Sequence, residues 1–202
     1  PAIQVQPAAQ IALAGTDVRL SVLAAASPVA VSYQWRKGGT NIDGATSATL
    51  PISAATIGAT GAYDVVITTP GHAPITSDVA ALAVGNPTLI SQHPASQTVL
   101  PATSAVFSVT ATGTGTLQYQ WRKGTGVGIT NIPGATSATY TIAAPTATDA
   151  GVYSVMVSTQ FGSAVSNDAT LSIPTTPIFV DQPVARRAVA GGSVQFSASA
   201  VG

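Results

Sequence analysis

Few side chains in this chain could do chemistry, and they are scattered. His72 lies in the turn-like run Pro70-Gly71-His72-Ala73-Pro74, and His93 stands just before Pro94. Neither has a cysteine or a second histidine at ligand spacing, so they are read as loop and edge residues rather than metal ligands. The acids are all aspartate. They form no D-x-D-x-D-G loop, which excludes an EF-hand. An inter-module calcium site would have to draw on Asp17, Asp78, Asp168 and Asp181. Serines are abundant, but no G-x-S-x-G elbow presents one as a nucleophile. No two carboxylates are spaced for glycoside hydrolysis. The sequence is therefore read as non-enzymatic, with no catalytic residue, no cofactor and no metal ligand.

The cations are better organised. Tyr33-Gln34-Trp35-Arg36-Lys37-Gly38 returns unchanged as Tyr119-Gln120-Trp121-Arg122-Lys123-Gly124, so Arg36-Lys37 and Arg122-Lys123 are repeated charges. Two readings stand for them: a ligand or glycan contact, or a solubilising pair whose aliphatic stems cover a sheet edge. Arg186-Arg187 is a candidate docking contact. Asn86-Pro87-Thr88 fails as an N-glycosylation sequon because proline occupies its middle position.

Composition limits the partners. Formal net charge is zero and only 7% of residues are charged, with no basic run, which disfavours nucleic acid and anionic membranes. Hydrophobic residues make up 46%, enough for packed cores. The polar surface must then be mostly Ser, Thr, Asn and Gln. Such a surface suits packing against copies of itself, neighbouring modules or a matrix, because little net charge holds copies apart. No apolar run is long enough for a membrane span in this segment. The chain starts at Pro1 and shows no signal peptide, so it is read as processed or as a piece of a longer protein.

These residues are positioned by a repeat. Pro7, Pro94 and Pro183 recur at about 87 to 89 residues. The two tryptophans are 86 apart, whereas the Thr40–Thr49 block returns 90 residues later at Thr130–Thr139. Repeat two has therefore gained four residues around Thr125 to Gly128, which predicts a longer turn there. Within each repeat the periodicity is two. Asp17 to Val22, Val31 to Arg36 and Tyr63 to Ile67 alternate apolar and polar, with Gly, Pro, Asn and Asp clusters between them. Short, evenly spaced strands in modules of under 90 residues predict antiparallel sandwiches.

The residues also carry a family resemblance. Gly15 before strand B, Trp35 and Trp121 on strand C, a Leu-x-Ile on strand E and Asp149-Ala150-Gly151-Val152-Tyr153 at the start of strand F resemble an I-set immunoglobulin-like domain. The Asp-x-Gly-x-Tyr run is similar to that fold's tyrosine corner. The resemblance implies a B–F disulfide across the Trp, but here Val22 and Val65, then Val109 and Val155, take those positions. Cysteine-free versions of this kind resemble the tandem Ig-like repeats of large bacterial surface and secreted proteins. Losing a disulfide costs about 2–4 kcal/mol. A buried valine supplies roughly 1.5–3 kcal/mol, so valines packed on tryptophan offset much of that loss. Repeat one departs from the corner pattern at Ala59, where repeat two has Asp149, although Gly61 and Tyr63 remain.

The expected architecture is all-β: tandem immunoglobulin-like sandwiches of about seven strands each, plus an incomplete third module. The expected domains are 1–85, 86–174 and 175–202. The core of each module is expected around Trp35, Tyr63, Val22 and Val65, and around Trp121, Tyr153, Val109 and Val155. Pro51 on strand E implies an edge, with strand D short or absent. The connectors Gly85-Asn86-Pro87 and Ile173 to Pro177 are expected to be extended and stiff. Gly191 to Ala198 is expected to form strand B of the third module. Val194, Phe196, Arg186 and Arg187 are then candidate assembly contacts, covered by further chain or by strands from another molecule. The leading function is a structural repeat of an extracellular or cell-surface bacterial protein, in a fibre or stalk, joined through module and strand contacts. The alternatives are an adhesive or carbohydrate-binding module, using exposed turns such as Thr125 to Gly128 and a surface glycan as ligand, or a spacer beside a secreted enzyme.

Overall fold

The structure is a computed structural model that describes residues 1–25, 30–100, 103–174 and 177–201. Thr175, Thr176 and Gly202, which the sequence assigned to a connector and to the third module, lie outside the described residues. Packing divides the chain into two compact units. One is Pro1–Thr88 with Gly113–Leu117 and Ser158–Ser163; the other is Leu89–Thr112, Gln118–Val157 and Ala164–Gly202.

The first set of strands is β1 (Ile3–Val5), β2 (Gln10–Leu13), β3 (Val18–Ser21), β4 (Leu23–Ala24), β5 (Ser32–Lys37), β6 (Thr40–Asn41), β7 (Thr49–Ile52), β8 (Gly61–Thr68), β9 (Ile75–Thr76) and β10 (Ala80–Gly85). One sheet runs β2-β10-β8-β5-β6, with β9 on β8, and the other layer is made of β3 with β7 and β1 with β4. The alternation seen in the sequence places Val18, Leu20, Val22 and Leu50 from one layer against Trp35, Tyr63, Val65, Ile67, Leu82 and Val84 from the other.

The second set repeats this plan with β11 (Leu89–Gln92), β12 (Gln97–Thr98), β13 (Ala105–Ser108), β14 (Thr110–Thr112), β15 (Gln118–Lys123), β16 (Thr130–Asn131), β17 (Thr139–Ile142), β18 (Gly151–Thr159), β19 (Gly162–Val165) and β20 (Ala169–Ser172). Phe107, Val109, Trp121, Tyr153, Val155 and Leu171 are buried in it. The fold is all-β, built of tandem sandwiches, as the periodicity predicted.

Two ladders break the antiparallel rule: β2 pairs parallel with β10, and β12 pairs parallel with β20. Proline is the local cause. Pro7 and Pro94 are buried between β1 and β2 and between β11 and β12. With no N–H to donate, they end the first ladder and let the strand cross to the other sheet.

Pro51 lies opposite Arg19 in the β3–β7 ladder. Val22 N–H donates to the Ala48 carbonyl, which makes Leu20–Leu50 a hydrogen-bonded pair and Arg19–Pro51 a non-bonded one. The missing N–H of Pro51 therefore faces away from β3, toward the free edge of β7, where it costs no ladder bond.

The insertion also falls where the spacing put it. Between β5 and β6 the turn is Gly38-Gly39, both at positive φ (55° and 80°), as a two-residue hairpin requires. Between β15 and β16 the longer turn holds a 3-10 segment at Gly126–Gly128. The connector is anchored within the first compact unit. Asn86 N–H donates to Thr114 Oγ1 (2.8 Å), and Thr88 Oγ1 donates to the Gly162 carbonyl (2.9 Å). Gly85 is fixed by close approach: a Cβ there would meet the Phe161 ring at 2.5 Å.

The third segment corrects one expectation. Residues 191–198 form no strand; the ladder joins β21 (Ile178–Asp181) to β22 (Ser199–Val201). This is the third appearance of one pairing, after β1–β4 and β11–β14, and each carries a register shift. The stretch Val194 to Ser197 corresponds to β3 and β13, whose ladders run to β7 and β17. Among the described residues nothing plays that part for the third segment, so its residues have no ladder to join.

Candidate functional site

The glutamines, tryptophans and lysines of the repeated motif are used inside their own sandwiches. Gln34 Nε2 donates to the Trp35 and Ile42 carbonyls, and Gln120 Nε2 to those of Trp121 and Ile132, all at 2.8–2.9 Å. Trp35 Nε1 donates to the Ser47 carbonyl, and Trp121 Nε1 to that of Ser137. Lys37 Nζ donates to the Gly58 carbonyl, and Lys123 Nζ to that of Thr148. Both ammonium groups also sit over the ring of the corner tyrosine, 5.7 Å from Tyr63 and 5.4 Å from Tyr153. The lysines thus tie strand C to the turn before strand F, and the glycan reading of the pair loses its lysine half.

The arginines differ. Arg36 holds Asp64 in a two-pronged ion pair, Nε to Oδ1 at 2.6 Å and Nη2 to Oδ2 at 2.9 Å. The bond to Asp64 raises the Arg36 pKa further. Arg122 faces Ser154 instead, with a long 3.4 Å contact from Nη2, and its buried Nε has no protein partner among the described residues.

The tyrosine corner closes in both sandwiches. Tyr63 Oη donates to the Ala59 carbonyl (2.7 Å) and Tyr153 Oη to the Asp149 carbonyl (2.6 Å). Because the acceptor is backbone, Ala59 serves as well as aspartate. What repeat one lacks is the carboxylate, which in repeat two accepts from the Thr146 N–H (2.8 Å) and hydroxyl (2.9 Å). Those two bonds hold the Asp149 carboxyl below the usual aspartate range. Burial, helped by Tyr140 and Asp149, pushes the Tyr153 phenol up to about 12; burial also raises Tyr63.

Of the residues expected to form the cores, Trp35, Val65, Trp121 and Val155 are fully enclosed, and Val22, Tyr63, Val109 and Tyr153 are buried with them. Ser77 and Ser166 were not singled out in the sequence. Each is buried beside the valine in the F-strand disulfide position, where its hydroxyl accepts from the Val65 or Val155 N–H (3.0 Å) and donates to the next carbonyl. The available signal was their similar distance after those valines.

The other sequence candidates do not converge. His72 Nδ1 lies near the Pro70 carbonyl. His93 Nδ1 accepts from the Asn167 N–H, the task that Gln6 performs for Asp78 N–H in the first sandwich. Asp17 accepts from the Ala54 N–H and Asp181 from the Ser199 hydroxyl. Among the described residues no three His, Cys, Asp or Glu side chains group to hold a metal. Arg186, Arg187, Ser193, Val194, Gln195 and Ser197 line an open hollow of about 430 Å³. Val194 and Phe196 remain exposed, Phe196 to 60%.

No protein-family model and no curated protein matches the chain. Solved structures do. Immunoglobulin domains 1–4 of Sidekick-1 superpose with a TM-score of 0.69 at 21% identity, covering 86% of this chain and 48% of that one.

The fold is immunoglobulin-like.

A titin I-band fragment, I67–I69, gives a TM-score of 0.57 at 19% identity, covering 90% of this chain and 68% of that one. The four N-terminal Ig domains of Dscam1 give 0.55 at 23%, covering 86% and 46%. The chain spans about half the length of the Sidekick-1 fragment. These likenesses correct the bacterial assignment read from the sequence, and with it the bacterial fibre or stalk: Sidekick-1, titin and Dscam1 are eukaryotic. The cause of the error is physical. Replacement of the disulfide by valines is a packing solution that carries no mark of origin. At these identities the likeness establishes the fold alone. No helix among the described residues is long and apolar enough to cross a membrane.

Proposed function

We propose that the chain is a non-catalytic adhesion module of an extracellular or cell-surface protein, and that it meets a second copy of itself through the edge strand β2. One contrast between the sandwiches supports this. Ile11 and Leu13 on β2 are 61% and 39% exposed. They lie beside Ala83 and Gly85 on β10, with the exposed Ala81 next along that strand. In the second sandwich Thr98 takes the place of Ile11, and Thr170 and Ser172 those of Ala81 and Ala83, while Leu100 keeps the apolar place of Leu13; the contrast therefore centres on Ile11, where the fold does not require an apolar residue. β2 carries no charged side chain to repel a like strand, and the chain has no net charge. Arg36, Lys37 and Lys123 of the repeated motif are engaged within their own sandwiches, which favours shape and apolar contact as the means by which two copies meet. Sedimentation velocity over a concentration series tests this. The wild-type chain is expected to self-associate, and Ile11→Asp with Leu13→Asp to remain monomeric. Equal behaviour of the two chains overturns the reading.

A further inference from the structure

We propose that the hollow bordered by Arg186 and Arg187 binds a sulfated saccharide. It deepens the adhesion reading by naming a ligand class, and it involves none of the β2 residues on which self-association rests.

The two arginines are not demanded by the fold. Counted from the repeated prolines Pro7, Pro94 and Pro183, they occupy the places of Gln10 and Ile11 and of Gln97 and Thr98. In both sandwiches the first of these places is a neutral glutamine whose Nε2 donates to a carbonyl of the neighbouring strand, that of Arg19 or Val106. The third segment replaces both neutral residues with guanidinium groups. Across from them, Ser193, Gln195 and Ser197 line the same hollow. Their spacing of two puts them on one side of an extended chain. The first sandwich has Asp17, Arg19 and Ser21 at those places and the second has Ser104, Val106 and Ser108, so the third segment, like the second sandwich, carries no acid there. Among the described residues no carboxylate lines the hollow, and Asp181 is engaged with the Ser199 hydroxyl.

The ligand class follows from these groups. Two adjacent guanidinium forks offer more donors than a two-oxygen carboxylate can take, and they suit a tetrahedral oxyanion. Two hydroxyls and an amide can meet the hydroxyls of a sugar. Among the described residues no aromatic ring lines the hollow, so a neutral sugar has no stacking platform there and the anionic group must carry recognition. A volume of about 430 Å³ falls within the roughly 300–1,000 Å³ of small-ligand sites.

The test is equilibrium binding of the full chain to immobilised dextran sulfate, neutral dextran and carboxymethyl-dextran of matched charge density. Saturable binding to dextran sulfate alone is expected, weakening as sodium chloride is raised. Arg186→Gln with Arg187→Gln should weaken it by at least about tenfold, since two charge-assisted contacts are lost. Both arginines are exposed, so that variant should fold, and unchanged circular dichroism checks it. Arg19→Gln should bind as wild type. Equal binding to carboxymethyl-dextran, or undiminished binding by the double glutamine variant, overturns the proposal. Ile11→Asp with Leu13→Asp should retain dextran sulfate binding, so failure of self-association and failure of sulfate recognition are read separately.

Discussion

The two complete sandwiches use the same Tyr-Gln-Trp-Arg-Lys run and stabilise themselves differently around it. The second builds an aromatic cluster: Phe107 stacks on Tyr153 at 5.0 Å, and Trp121 and Tyr140 close the group at 6.0 Å. The first places Leu20 and Leu50 at the positions of Phe107 and Tyr140 and relies on aliphatic packing. Charge is distributed in the opposite sense. The first holds an Arg36–Asp64 ion pair on the sheet where the second has Arg122 against serine. The second has a carboxylate bonded at the turn where the first has alanine. A repeat thus preserves the bonds that define the frame and exchanges the rest among packing and electrostatics.

The largest expected effect comes from the shared element. Trp35→Ala and Trp121→Ala should each lose about 3–5 kcal/mol in urea denaturation, with the loss confined to the transition of the mutated sandwich. Similar costs would mean that the aromatic neighbours of Trp121 add little beyond buried area. Next in size, Tyr63→Phe and Tyr153→Phe should each cost about 0.5–1.5 kcal/mol, the worth of one hydrogen bond. Equal losses are expected, because both corners accept through a backbone carbonyl. A clearly smaller loss at Tyr63 would show that the Asp149 side chain supports its corner after all. The Tyr153 phenol is raised from 10.0 to about 12, so its contribution is full below pH 10.0 and falls as pH rises through 12.

The arginine contrast can be inverted. Asp64→Ser should lower the denaturation midpoint of the first sandwich, by less than either tyrosine change. Ser154→Asp should raise that of the second by giving Arg122 the partner it lacks. If Ser154→Asp is destabilising, the space beside Arg122 cannot hold a carboxylate. The smallest effect is the acid limb. The Asp149 pKa is depressed below its ordinary 3.8, so its contribution is present above pH 3.8 and is lost as pH falls through the lower folded value. Acid titration of the second sandwich should show this step, and Asp149→Ala should remove it and leave the first sandwich's curve unchanged.

Much of the frame was legible because it is local and periodic. The alternation in Val18 to Ser21 and Ala105 to Ser108 marks inward faces, and the spacing of the tryptophans marks modules. The Thr125 to Gly128 turn and the edge position of Pro51 followed from the same comparison of repeats. The third segment shows the limit of this reasoning. Leu20, Phe107 and Phe196 hold the same place in the pattern, yet their exposures are 0%, 1% and 60%. Periodicity tells which side of a strand a residue takes; only a partner strand turns that side into an interior, and β7 and β17 have no counterpart beside Phe196 among the described residues.

The sandwich, its repeat and its tryptophan–valine cores were legible in the chain, because hydrophobic burial follows from a pattern read along a few residues. The tertiary structure alone decided what the polar side chains do. Lys37 and Lys123 could as well have faced solvent; they reach turns 21 and 25 residues away. Ser77 and Ser166 satisfy the F-strand backbone beside the valines, and Ala59 proves sufficient for its corner. Hydrogen bonds depend on direction and on ångström-scale distance between residues far apart in the chain, and no spacing in the sequence encodes either.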